Sequence, residues 1–146
     1  MVRPALLWLA TFAVMAPPAL GSTPIKLPAS PVATTEPEVT GLVLDARGLH
    51  YQPCMSPHLY DDSAHNLLGG LSFDPEKVTS DGFAHWVRSV EPQEVVKRAG
   101  KHPLFLKPLR VEGGDRLVFS TEDGAELLAA DAKSKFLERM RVLIIY

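Results

Sequence analysis

Arg141-Val142-Leu143-Ile144-Ile145-Tyr146 is almost unbroken in apolar side chains and rich in β-branched ones. A strand exposed on one face alternates apolar and polar residues, whereas a strand covered on both faces does not. The run therefore reads as a central strand buried on both sides, which requires packed structure above and below it. Removing it is expected to unfold the domain.

Working back from this strand, Phe136, Leu137 and Met140 continue the burial, and Leu127, Leu128 and Ala130 form the apolar part of a helix. Ser120-Thr121-Glu122-Asp123 starts that helix with capping-box spacing, Asp standing where Glu or Gln is preferred. Leu109-Arg110-Val111 and Arg116 to Phe119 flank Gly113-Gly114-Asp115 as a hairpin. Pro108, with no N–H to donate, places the strand that includes Leu104-Phe105-Leu106 at a sheet edge or at a bulge. Asp74-Pro75-Glu76 has the chemistry of a helix start, and Phe83, Trp86, Val87 and Val90 recur at spacings of three and four as a helical stripe. In this reading Trp86 is core, His85 is solvated and Pro92 ends the helix. Gln93 to Ala99 adds a helical turn or two, stopped by Gly100. Near the front, Gly41 to Leu44 form a strand that turns at Gly48. Tyr60 and Leu68 flank a second hairpin turn. The sum is an α+β fold, a single compact domain with a mixed β-sheet and two main helices.

Three segments follow from composition. Residues 1–21 place Arg3 before an apolar run ending in Ala19-Leu20-Gly21, the pattern of a secretory signal peptide. Residues 22–39 contain four prolines with Ser and Thr and no apolar periodicity, an extended linker. Residues 40–146 are the folded domain. The expected location is periplasmic or secreted, with no membrane insertion once the signal is removed. The chain has 15 Lys and Arg against 17 Asp and Glu, a mild acidic excess that argues against nucleic acid as a partner. Lys97, Arg98, Lys101 and His102 around Gly100 read as a solvated turn. The single cysteine excludes an internal disulfide, so a packed core has to provide the stability.

The order TGLVLDARGL, SPHLYDD, RAGKHPLFLK and STEDGAELLAA over Thr40 to Tyr146 resembles a group of exported Gram-negative envelope proteins with a TGLVxDARGL motif. Some of these are similar to envelope lipoproteins and to flagellar assembly protein T. Matching positions include Gly41, Asp45, Arg47, Gly48, Tyr60, Asp61, Arg98, Gly100, Lys107, Ser120 and Asp123. This chain departs at Asp62, His102 and Gly124, where the pattern has Glu, Asn and Ala. The resemblance implies an envelope location, protein partners there and a non-catalytic role.

The candidate binding residues are Asp45, Arg47, Tyr60 and Asp61. Asp45 and Arg47 are two apart, hence on one face of a strand, and the guanidinium fork suits either a neighbouring loop or a partner. A lysine at position 47 is expected to lose function or stability. Exposed strand edges, such as the one interrupted by Pro108, are the alternative contact surface. Cys54, Met55 and His58 are ligand types for a soft metal such as copper and define a competing reading, a small metal-binding protein. Zinc spacing is absent, as are nucleophile-elbow, P-loop and dinucleotide patterns, so neither an enzyme nor a cofactor is expected.

Overall fold

The computed structural model describes residues 37–146; the signal-like segment and residues 22–36 of the linker lie outside them. The elements run β1 (Gly41–Asp45), β2 (His58–Asp61), α1 (Pro75–Asp81), β3 (Ala84–Val87), α2 (Pro92–Ala99), β4 (Pro103–Leu106), β5 (Arg110–Glu112), β6 (Arg116–Phe119), α3 (Thr121–Ser134) and β7 (Val142–Ile145). The closing apolar run is β7. It lies between β3 and β1 in a four-stranded sheet ordered β3-β7-β1-β4, in which every neighbouring pair is parallel. All four β7 side chains are buried, as the unbroken pattern requires.

Parallel neighbours need a crossover, and α2 provides one by carrying the chain from β3 at one edge to β4 at the other. Its Val95 and Ala99 pack on Val43, Leu143 and Ile145. The alternate residues Leu42, Leu44, Val142 and Ile144 join a larger core with Leu117 and Phe119 of β6, Leu127 of α3, and Phe136 and Leu137 beyond it. A second sheet, ordered β2-β6-β5, contributes to this side, with β2 parallel and β5 antiparallel to β6. The domain is thus α+β as expected, with its strands divided between two sheets and a third, short helix.

The segment Phe83 to Val90 is not helical. Asp74 caps α1 as predicted, its Oδ1 accepting from the Glu76 N–H at 3.0 Å, but Gly82 ends that helix at φ 71°. Residues 84–87 then pair with Val142–Ile145 as β3. Four apolar residues at mixed spacings fit either period. The unoccupied flank of β7, together with the β-forming Trp86 and Val87, favours the strand. His85 is exposed, as expected, whereas Trp86 is only half-buried and packs against the core without joining its interior. Pro92 begins α2 as its first helical residue and ends nothing.

The expected Tyr60–Leu68 hairpin reduces to one antiparallel bridge, Tyr60 to Asn66, with the Leu67 N–H donating to the Leu59 carbonyl at 2.9 Å. The main partner of β2 is β6. Leu67 is buried, and it lies beneath the first turn of α3, where a Cβ on Gly124 would come within 3.2 Å of its Cδ2. Gly124 therefore brings α3 close to β2 at a site where alanine would be the better helix former by ~1 kcal/mol. The Ser120 cap is as predicted, its Oγ accepting from the Asp123 N–H at 3.0 Å. At the other end of α3, buried Asp131 accepts from the Leu137 N–H at 2.8 Å and turns the chain towards β7.

Two contacts connect the C-terminal end of α2 to the rest of the domain. Thr40 donates through its hydroxyl to the Ala99 carbonyl at 2.8 Å and accepts from the His102 N–H at 3.0 Å, so the start of β1 is fastened to the end of α2. Arg98 is not part of a solvated turn. Its Nη2 donates to the Gly82 carbonyl at 2.9 Å, tying α2 to the α1–β3 junction, and its Nε is buried without a partner. Burial pushes its guanidinium below the ordinary value. Arg98→Ala is expected to cost ~1–3 kcal/mol in a urea titration by leaving buried carbonyls unpaired, and Arg98→Lys is expected to recover part of the loss.

Candidate binding surface

Asp45 ends β1 at the carboxyl edge of the parallel sheet. Its Oδ1 accepts from Arg47 Nε at 2.8 Å and from the Arg47 N–H at 3.2 Å, while Oδ2 meets Nη2 at 2.7 Å. The fork is bidentate, but it closes on Asp45 of its own turn and, among the described residues, holds no neighbouring loop. The Arg47 hydrogen bond lowers the Asp45 carboxyl from its ordinary value, opposed in part by burial. Because Arg47 is exposed and its pairing local, Arg47→Lys is expected to leave the denaturation midpoint close to wild type.

Tyr60 and Asp61 lie elsewhere, on β2 of the second sheet. Arg116 sits over the Tyr60 ring at 4.6 Å, and Arg110, Glu112 and Arg116 form a string of surface ion pairs beside it. The cavity among them is only about 90 Å³. Asp61 is buried and organises the turn that follows: one oxygen accepts from the Ser63 hydroxyl at 2.6 Å and from the N–H groups of Ser63 and His65 at 3.1 and 2.8 Å. These bonds, led by that of the Ser63 hydroxyl, lower its carboxyl below the ordinary 3.8. A carboxyl lowered on folding stabilises the native state above the unfolded value, and that stability is lost as pH falls through the lower, folded value. Asp61→Asn keeps an acceptor oxygen in place and removes the titration. Its thermal midpoint is therefore expected to fall less steeply than wild type below about pH 4.

Cys54, Met55 and His58 have separate surroundings. Cys54 is free and half-buried, its Sγ 3.8 Å from the Tyr51 hydroxyl, which itself accepts from Trp86 Nε1 at 3.3 Å. Met55 is 74% exposed, and His58 Nδ1 sits 3.2 Å from Asp115. Among the described residues no three His, Cys, Asp or Glu side chains gather as a metal-ligand group.

The surface that sequence patterns did not reveal lies along β4. Among the described residues this strand is hydrogen-bonded to β1 alone, and its other edge has no strand partner. Phe105 pairs in register with Val43 on the α2 side and is 60% exposed. Val96 of α2 is 50% exposed, and Val90, just before it, 40%. With Pro92, Val95 and Pro103 they line a groove of about 320 Å³ between helix and strand edge. Residues 96 and 105 are joined only through the α2 crossover, so no local period marks them. Pro108, expected within a single edge or bulged strand, lies instead in the connection between β4 and β5, which belong to different sheets.

These features define a class: a small α+β domain whose parallel sheet ends in an open, apolar-flanked edge. Residues 41–146 match the family model described as Treponema pallidum Tp0624, second domain, and the chain belongs to that bacterial domain family. No curated protein matches the chain. No helix among the described residues is long and apolar enough to cross a membrane.

Proposed function

We propose that the domain is a non-catalytic protein-interaction module of the bacterial cell envelope, which engages its partner along β4 and the adjoining groove. The observation that carries this reading is the coincidence of a strand edge unpaired among the described residues with three apolar side chains left 40–60% exposed beside it. Strand edges recruit partners through main-chain hydrogen bonds, and adjacent apolar pockets provide specificity. Location rests on the signal-like residues 1–21 and on the resemblance to exported envelope proteins. That resemblance extends to flagellar assembly protein T and so includes association with the flagellum.

A deletion strain carrying wild-type or Phe105→Asp protein tests the reading. Wild type is expected to restore motility and envelope integrity, and the variant to fail while accumulating to the same level. Equal rescue by both, or a deletion strain with no defect, contradicts it.

A further inference from the structure

We infer that the β4 edge takes an extended segment of another protein as a fifth strand, a segment apolar in its centre and acidic at its ends. This inference rests on β4 being the docking edge and adds the chemistry of what docks there. The apolar centre follows from Phe105, Val96 and Val90, which an alternating strand could cover with every second side chain. The acidic ends follow from charge. Lys101 and His102 immediately precede β4, Lys107 immediately follows it, and all three are exposed. None of them joins an ion pair among the described residues. Among the described residues, Lys101 is the one charged side chain lining the groove. Lys107 is near enough to Asp45 to lower its carboxyl, but that carboxylate is already held by both arms of the Arg47 fork.

Two other occupants fit less well. A second copy pairing antiparallel about a twofold axis would set Lys101 and His102 against Lys107 of its mate, and like charges directly opposed are destabilising. Lysines at a strand edge also serve to block unwanted pairing. Blocking alone gives no reason for an exposed phenylalanine and two exposed valines beside the edge.

The test uses the intact chain and two synthetic peptides that share a centre of alternating valine and threonine, one with two glutamates at each end and the other with two lysines. The acidic peptide is expected to bind roughly tenfold tighter at low salt, the gap narrowing as ionic strength rises. Amide resonances of residues 104–106 should shift, and Phe105→Ser, a surface change, should abolish the effect with the fold intact. Equal affinity for both peptides, shifts confined to other elements, or a concentration-dependent dimer formed through β4 would overturn the inference. If the peptides fail while rescue in cells still depends on Phe105, the docking edge stands and the acidic strand falls; if both fail, both fall.

Discussion

Gly41→Ala is expected to be among the most damaging single substitutions in the domain. A Cβ at this position would lie within 2.6 Å of the Ala99 Cα and closer still to its carbonyl oxygen, all of it backbone that cannot rotate away. Overpacking ordinarily costs ~1–3 kcal/mol, and here relief requires separating β1 from the end of α2, so the loss should reach or exceed the top of that range. Gly100→Ala meets the same joint from the other side. Its Cβ would come within 2.6 Å of the Thr40 Cβ, at a backbone φ of 86° that L side chains rarely adopt. Gly48 provides the control: its φ is 79° but open space surrounds it, so alanine there should cost only the conformational ~1–2 kcal/mol. Urea titrations of the three variants should place 41 and 100 well below 48. The Thr-Gly and Arg-Ala-Gly portions of the sequence thus have a structural role, closing the sheet onto its helix.

Removal of residues 142–146 is expected to abolish folding altogether. Val142, Leu143, Ile144 and Ile145 are each at most 2% exposed, and they supply the central strand that both β1 and β3 pair with. Truncating one such side chain to alanine costs ~2–5 kcal/mol. Losing four, together with two strand pairings, exceeds the ~5–15 kcal/mol that stabilises a typical domain. Circular dichroism and amide proton dispersion should report an unfolded chain. Ile144→Ala should remain folded with a midpoint lowered in proportion to ~2–5 kcal/mol.

What could be read from sequence was what depends on neighbours along the chain. The β7 run, the Ser120 and Asp74 caps, the glycine turn after β1 and the hairpin at Gly113-Gly114 are local patterns, and each is present. The identity of β3 was not local, because it depends on which side of β7 lacked a partner. Arg98 looked solvated beside Lys97 and Lys101, and only the return of α2 over the α1–β3 junction buries it. Among the candidate site residues, Asp45 and Arg47 form the expected pair, whereas Tyr60 and Asp61 belong to a different sheet and serve Arg116 stacking and turn formation. The β4 groove was not legible: Pro108 suggested an edge or bulge within one strand but separates β4 from β5, and nothing in the sequence shows that Val96 folds back beside Phe105.

Partner binding along β4 can be seen directly in the cell. A photo-crosslinking amino acid placed at position 105 in the living cell addresses this directly, with position 76, exposed on α1 away from the groove, as the control. If β4 is the contact surface, position 105 gives a discrete, light-dependent adduct with another envelope protein and position 76 gives none. No adduct at 105, or the same adducts from both positions, would contradict it.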